Sequence, residues 1–141
     1  MSHHYTVIAT VEPEGLVDLS ADGLATIVSG PPLDFGGSGT DWSPEDLLVA
    51  AVADCFVLSF RAIAAASRYD FTGLKCTATG TLDKVERAMQ FTEIKIKATL
   101  TIPADADADR AQRLLEKAEH TCFITNSLKV EPVLETEILP V

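Results

Sequence analysis

Residues 47–66, LLVAAVADCFVLSFRAIAAA, form the longest mostly apolar stretch of the chain and decide its fold. The four residues before them, SPED (43–46), carry the signals of a helix start. Ser43 is suited to cap the helix and Pro44 to occupy its first position, and the two acids that follow oppose the positive end of the helix dipole. The sequence therefore predicts a long helix that begins here and runs to about Ser67.

This apolar stretch approaches the length of a membrane span, but it contains Asp54 and Arg61. A charge near the centre of a bilayer is costly. A helix that is apolar nearly all round is otherwise typical of the centre of a globule or an oligomer. We therefore predict a buried helix and no membrane partner.

Strand patterns lie on both sides of the helix, marked by alternating apolar and polar residues and by β-branched composition. The predicted strands are residues 5–12, 16–21, 24–29, 71–83, 91–102 and 130–139, with a Gly- and Pro-rich loop at 30–42 and a polar connector at 84–90. A second helix follows Pro103 and ends near His120. The order β-β-β-α-β-β-α-β indicates an α+β fold in a single domain over residues 1–141.

The charge distribution excludes several classes of partner. Residues 1–60 contain nine acids and no Lys or Arg, and the 141-residue chain has a formal net charge of −10. Nucleic acid and anionic membranes are poor partners for such a surface. Apolar residues make up 47% of the chain, which fits an ordinary globular protein.

The cysteine content and the N-terminus indicate a reducing compartment. Three cysteines argue against a disulfide scaffold, which has an even and dense set. The N-terminus lacks the basic and apolar regions of a signal peptide, so the cytoplasm is the expected location. No Cys-x-x-Cys or His-x-x-x-His spacing is present, and we expect neither a metal site nor a cofactor.

Each cysteine has a different setting in the predicted elements. Cys55 lies in the middle of the long helix, where a free cysteine usually packs as a small hydrophobic residue. Cys76 alternates in phase with Leu74 and Ala78, so we predict a structural residue on the inner face of a sheet. Cys122 follows the second helix, at a position where a side chain is able to face a cleft.

Two stretches around Cys55 and Cys122 resemble the OsmC/Ohr family, the osmotically inducible and organic-hydroperoxide-resistance proteins. The first, WSPEDLLVAAVADCFVLSFRA (42–62), has a Pro-Glu at a helix start and a cysteine ten residues after that Glu, which is Glu45. The second, AEHTCFITNSL (118–128), is similar to the family's second cysteine and the small polar segment after it. The resemblance covers nearly the whole chain.

The resemblance implies an OsmC-like intertwined homodimer, with antiparallel sheets wrapped around long central helices and active sites at the subunit interface. It also implies a thiol peroxidase for small organic hydroperoxides. In that cycle Cys55 forms a sulfenic acid, Cys122 resolves it to a disulfide, Glu45 orients the site, and a dithiol or lipoyl reductant restores the thiols. We expect an apolar substrate, because Phe56 and Phe60 are near Cys55 in sequence.

The chain departs from the family pattern at the group that activates the thiolate. Active peroxidases of the family use an N-terminal Arg, and no Arg or Lys precedes Arg61 here. Asp54, when ionised, would raise the pKa of the adjacent Cys55, and a residue in mid-helix gains little from the helix dipole. We therefore predict that Cys55 is mostly protonated at pH 7, unless a cation such as Arg68, Arg87 or one from a partner chain replaces the missing Arg.

Helix geometry limits the roles of Glu45 and Arg61. Ten residues along one straight helix separate Glu45 from Cys55 by about 15 Å, so a shared site needs Glu45 from a folded-back loop or from the other subunit. Arg61 lies about 240° around the helix from Cys55 and on the same face as Asp54, which leaves open a structural pair with Asp54 or a catalytic role. His120, close to the second cysteine, is either a base or a solvated residue at a helix end.

Two classes of function remain open on the sequence. The first is a thiol peroxidase for organic hydroperoxides. The second is a redox-silent OsmC-like stress or binding protein that keeps its cysteines for packing or sensing, and the missing N-terminal Arg is the main argument for it. Loss of two of the three thiols on addition of a hydroperoxide distinguishes the first class from the second.

Overall fold

The structure, a computed structural model, describes residues 1–141 and has the predicted order of strands and helices. The strands are β1 (Ile8–Thr10), β2 (Val17–Ser20), β3 (Ile27–Ser29), β4 (Gly73–Val85), β5 (Ala88–Ile102) and β6 (Val133–Pro140), and the helices are α1 (Pro44–Ala66), α2 (Ala108–Thr121) and the short α3 (Phe123–Asn126). The predicted loop contains one 3-10 turn, Leu33–Phe35. Contacts divide the chain into two compact units, Met1–Leu48 and Val49–Val141. The single domain expected from the sequence stays a prediction.

The first unit contains an antiparallel sheet with β2 between β1 and β3. The connection from β2 to β3 turns at the predicted Asp22–Gly23 pair, and Gly23 has a φ of +77°, which favours glycine. Apolar side chains of this sheet, among them Ile8, Ile27 and Val28, are exposed. The sheet therefore presents apolar surface that the single chain does not cover.

Helix α1 begins at the predicted cap. Ser43 Oγ accepts a hydrogen bond from the Asp46 N–H at 3.1 Å, and Asp46 Oδ2 accepts one from the Ser43 N–H at 3.1 Å. The pair satisfies backbone donors that the first turn of a helix leaves free. The start of the helix expected from the sequence is confirmed.

The core of the second unit joins the central strand β5 to α1 and α2. In β5 every second residue from Ile94 to Ile102 is buried, as expected for a strand with one face in the core. The helices contribute Val52, Phe56, Phe60 and Ala64 from α1, and Ala111, Leu114, Leu115 and Ala118 from α2. α1 approaches β4 closely at Gly80, where a Cβ atom would lie 2.9 Å from Val49 Cγ2. Glycine at this position therefore sets the distance between helix and sheet.

The pairing of β6 differs from the antiparallel sheets that the resemblance implies. β4 and β5 pair antiparallel, with Cys76 opposite Ala98, whereas β5 and β6 pair parallel, with Lys97 opposite Glu135. A parallel neighbour needs a crossover connection, and α2, which packs against β6, is part of it. The implication therefore holds for β1–β3 and for the β4–β5 pair, and not for β6.

The connection between β4 and β5 is shorter than the sequence predicts. Val85 pairs with Ala88, so only Glu86 and Arg87 form the turn, and Glu86 has a positive φ of 60°. The ends of both strands carry exposed side chains, including the apolar Val85 and Met89, so no buried face marks these ends as strands in the sequence. The hairpin therefore extends well into the segment expected to be a connector.

Only one stripe of α1 is buried in the single chain, whereas the sequence predicts a helix buried all round. The core stripe occupies one side, while Leu58, on another side, is 45% exposed. α1 has the length and composition of a membrane span, but its core stripe packs against β5 and α2 within the second unit. Val57 and Ile63 pack partly against the same core, so the exposed apolar surface is the side that carries Leu58.

Candidate active site

Cys55 is partly exposed and borders a cavity of about 450 Å³ beside α1. The cavity has mostly apolar walls from α1 and the start of α3, and its lining residues are Ala51, Asp54, Cys55, Leu58, Ser59, Ala62, Phe123 and Ile124. Phe56 and Phe60, expected near the substrate from the sequence, are fully buried because they belong to the core stripe of α1. The aromatic wall is instead Phe123, which is far from Cys55 in sequence.

Cys122 lies between α2 and α3 and is fully buried. Its thiol donates a hydrogen bond to the Cys55 sulfur, and both cysteines are free. α2, which carries Cys122 at its end, is capped at its start by Asp107, whose side chain accepts a hydrogen bond from the Arg110 N–H at 3.0 Å. The fold thus brings together the two cysteines that the resemblance pairs.

Hydrogen bonds lower the pKa of Cys55. Burial raises the pKa of this thiol, but donors from the Cys122 thiol, the Ile124 and Phe123 backbone and the Ser59 hydroxyl hold it below its ordinary value. Ser59 Oγ lies 3.9 Å from Cys55 Sγ. These donors oppose the effects that the sequence predicts to keep the pKa high, and three of the four come from another part of the chain. The degree of ionisation at pH 7 stays a prediction.

The pKa of Cys122 is shifted in the opposite direction. Burial raises it, and the neighbouring Cys55 raises it further, against hydrogen bonds from Thr125 that lower it. Cys55 is therefore the more acidic of the two thiols. Because Cys55 borders the cavity and Cys122 does not, the more acidic thiol is also the one that a substrate reaches.

Cys76 occupies the predicted position on the inner face of the sheet. It packs against the core of the second unit from β4. Burial, followed by the charge of Cys122, raises the pKa of Cys76 to about 11. This thiol is therefore a poor nucleophile near neutral pH, and its predicted position on the inner face of the sheet is confirmed.

Glu45 lies in the first turn of α1. The helix is continuous to Ala66, so the separation of about 15 Å from Cys55 along its axis stands. Glu45 Oε1 is buried and has no hydrogen-bond partner. An unpaired buried polar atom is costly, so this oxygen marks a place where a single chain lacks a partner group.

No basic residue lines the cavity beside Cys55. Arg68 borders a separate cavity of about 240 Å³, and His120 borders another of about 330 Å³. The one salt bridge of the structure involves neither Asp54 nor Arg61, so the pair suggested for them is not formed. No group of three or more potential metal ligands lies together. Hydrogen-bond donors, and not a cation, act on the Cys55 sulfur in this chain.

Four groups that act on the thiols were missed in the sequence: the Ser59 hydroxyl, the Phe123 and Ile124 N–H groups, and Thr125. Ser59 stands one helical turn after Cys55, and that spacing was a usable signal. The Ile124 N–H and Thr125 had no such signal, because their positions depend on how α3 packs against α1. Local sequence therefore predicts the thiols better than their surroundings.

Comparison with known proteins places the chain among OsmC-like proteins. The model for the family described as "OsmC-like protein" matches residues 37–137. The peroxiredoxin OsmC of Escherichia coli (strain K12) is 30% identical over 103 residues, which is 73% of this chain and 70% of that protein. The uncharacterized protein YmaD of Bacillus subtilis (strain 168) is 23% identical over 109 residues, covering 75% of this chain and 73% of its own length.

Solved structures share the fold. An OsmC-like protein of unknown function from Vibrio cholerae superposes with a TM-score of 0.88 at 21% identity, covering 96% of this chain and 100% of that one. The organic hydroperoxide resistance protein OhrB of Bacillus subtilis gives a TM-score of 0.71 at 20% identity, with 96% and 98% covered. At these identities the likeness establishes the α+β architecture alone.

Proposed function

The chain belongs to the OsmC-like protein family, and on that premise we propose that it is a thiol-dependent peroxidase that reduces organic hydroperoxides. The observation that carries the proposal is the contact between Cys55, whose pKa is lowered, and the buried Cys122, whose pKa is raised, beside an apolar cavity. The name of the similar OhrB protein supports the substrate class.

Cys55 is the peroxidatic residue in this proposal. Its thiolate attacks one peroxide oxygen of the hydroperoxide, so that an S–O bond forms and the O–O bond breaks. The other oxygen takes a proton and leaves as the alcohol, and the Cys55 sulfur is oxidised to a sulfenic acid. The hydrogen-bond donors around the sulfur favour this step because they stabilise the thiolate, which is the nucleophile.

Cys122 is the resolving residue. Its sulfur attacks the sulfenic sulfur of Cys55, an S–S bond forms, and water leaves with the proton of the Cys122 thiol. A dithiol, such as a lipoyl group, then reduces the disulfide and is itself oxidised to a disulfide. A reducing cytoplasm suits this cycle, because all three cysteines are free and the bridge is transient.

Peroxide treatment tests the pairing. We expect one equivalent of cumene hydroperoxide to convert the reduced protein to a single Cys55–Cys122 bridge and to leave Cys76 free. Peptide mapping by mass spectrometry without reductant identifies the bridge, and the Cys76→Ser protein is the matched control that forms the same one. A dominant bridge through Cys76 contradicts the assignment. Absence of oxidation by both bulky and small hydroperoxides favours the redox-silent binding protein.

We further propose a homodimer, because apolar surfaces of the single chain lack a partner. In the second unit the side of α1 that carries Leu58 is uncovered, and in the first unit Ile8 and Ile27 are exposed on the small sheet. The buried Glu45 Oε1 also lacks a hydrogen-bond donor in the single chain. A second copy would cover these apolar surfaces and supply a hydrogen-bond donor to Glu45. Glu45 would then act as a positioning residue for the site of the neighbouring subunit.

The dimer has a hydrodynamic test. We expect sedimentation at micromolar concentration to give about twice the chain mass of 15.1 kDa. Leu58→Glu places a charge on the apolar surface of α1 and is expected to shift the protein to monomers, whereas Leu58→Ala keeps the surface apolar and the protein dimeric. A stable folded monomer of the unmodified chain at this concentration contradicts the proposal.

A further inference from the structure

We propose that Arg110 is a positioning residue for the thiol pair, because it sets the register of α2 on α1 and so keeps the sulfurs of Cys55 and Cys122 within bonding reach. The proposal rests on the proposed function, in which these two sulfurs must join. Arg110 is remote from both thiols along the chain, and all of its contacts described here lie within the Val49–Val141 unit of a single chain.

The end of α1 has a defined conformation that fixes the position of Tyr69. Arg68 has a φ of 53°, the Tyr69 N–H donates a hydrogen bond to the Ala64 carbonyl at 2.8 Å, and the Arg68 N–H donates one to the Ala65 carbonyl at 3.2 Å. Two such bonds around a left-handed residue form a Schellman motif. Tyr69, which is buried, is therefore tied to the last turn of α1.

Two side chains join this end of α1 to the start of α2. The Arg110 guanidinium donates a hydrogen bond to the Ser67 carbonyl, and its Cζ lies 5.6 Å from the centre of the Tyr69 ring. Carbonyls at the end of a helix lack partners within it, and the helix dipole favours a cation there. In the other direction, the Tyr69 hydroxyl donates to the Asp107 carbonyl at 2.9 Å. We call Ser67, Tyr69, Asp107 and Arg110 the helix clamp.

The helix clamp is equally far from both thiols. Cys55 precedes Ser67 by twelve residues along α1, and Cys122 follows Arg110 by twelve residues along α2. Each segment is therefore about 18 Å long. Two segments of equal length that are in contact at the helix clamp and again at the thiols lie side by side with opposite chain directions. A shift of α2 along α1 therefore moves one sulfur past the other by the same amount.

A disulfide tolerates little of such a shift. The S–S bond is about 2.05 Å long and needs the two Cα atoms within about 7 Å. A misplacement of about 1 Å is enough to cost a reaction about a hundredfold in rate. The register that the helix clamp sets at one end of the helices therefore affects bond formation at the other end.

The equilibrium of the Cys55–Cys122 bridge with dithiothreitol tests the positioning without peroxide. Oxidised dithiothreitol takes two electrons and two protons from the protein thiols and leaves them as a disulfide. Peptide mass spectrometry measures the bridged fraction at known ratios of oxidised to reduced reagent. We expect Arg110→Met, which removes the donors and the charge, to lower the equilibrium constant for the bridge by about tenfold or more. Arg110→Lys keeps the charge and a donor and is expected to recover it to within about threefold.

Two controls separate positioning from stability. Arg113→Met is the matched variant, since Arg113 lies on the same helix, is exposed and forms no salt bridge, and we expect its bridge equilibrium within about twofold of the unmodified protein. A lower Tm of reduced Arg110→Met with an unchanged bridge equilibrium indicates a merely structural role and overturns the proposal. If Arg110→Met does not fold, Tyr69→Phe, which loses only the hydroxyl donor, is expected to lower the constant about threefold, and no change there overturns the proposal.

Peroxide treatment then connects the positioning to catalysis. We expect Arg110→Met to resolve the Cys55 sulfenic acid about tenfold more slowly, so that a probe for sulfenic acid labels Cys55 in this variant. A lowered bridge equilibrium with no reaction toward any hydroperoxide refutes the peroxidase function and leaves the positioning role standing. Turnover of hydroperoxide with an unchanged bridge equilibrium in Arg110→Met refutes the positioning role and leaves the peroxidase function standing.

Discussion

Replacing Cys55 with Ser is expected to abolish hydroperoxide turnover, with a loss of at least about 10³-fold. A serine hydroxyl is not ionised near neutrality, and no His or Lys among the cavity-lining residues is present to activate it. The hydrogen bonds that lower the pKa of Cys55 act on a sulfur and do not generate an alkoxide. Consumption of cumene hydroperoxide with dihydrolipoamide as reductant measures the effect.

Cys76→Ser is the matched control for this loss. Cys76 packs against the core from β4 and has a pKa raised to about 11, so we expect its replacement to leave turnover within about twofold of the unmodified protein. Substantial turnover in Cys55→Ser, or its loss in Cys76→Ser, contradicts the assignment of the peroxidatic residue.

Replacing Cys122 with Ser is expected to stop catalysis after one turnover. Cys55 still attacks the hydroperoxide, but no thiol remains beside it to condense with the sulfenic acid. One equivalent of alcohol is therefore released per site, followed by a loss of steady-state activity of about 10²-fold or more. A 1,3-diketone probe for sulfenic acid, read by mass spectrometry, is expected to label Cys55 in this variant. Sustained turnover would contradict the role of Cys122.

The Cys122→Ser variant also isolates the pH dependence of the first step. The rate rises with pH as the thiolate forms, and a lowered pKa moves that rise to lower pH. The hydroxyl that replaces the Cys122 thiol in this variant still provides a donor to the Cys55 sulfur, as do the N–H groups of α3. We therefore expect, in stopped-flow measurements, a midpoint below that of an unperturbed cysteine. A midpoint at or above that value would restore the expectation drawn from the sequence.

Much of the fold follows from local signals in the chain. The Ser43–Asp46 pair fixes the start of α1, and the alternation from Ile94 to Ile102 identifies the buried face of β5. The parallel direction of β6 does not follow from such signals, because it depends on the path of the chain through α2. The exposure of Leu58 on one side of α1 does not follow from them either, because it depends on how the helix packs in three dimensions.

The candidate site likewise has a part that follows from local sequence and a part that depends on the folded chain. Cys55, Cys122 and Glu45 were identified from motifs that resemble a known family, and the structure brings the first two into contact. The donors that lower the pKa of Cys55 were missed because backbone groups at Phe123 leave no signal in the local sequence, whereas the missing Arg and the adjacent Asp54 are visible there. A thiol's neighbours in space, more than its neighbours in sequence, set its pKa.

The hairpin of β4 and β5 is closed by two residues, whereas β6 reaches its place beside β5 only after the crossover that contains α2. Contacts that are local in sequence form early in folding, because they close shorter loops. Cys122 lies within the late crossover, while Cys55 belongs to a helix that forms from its own residues. A chain in which this crossover has not yet packed therefore carries Cys55 without its partner thiol.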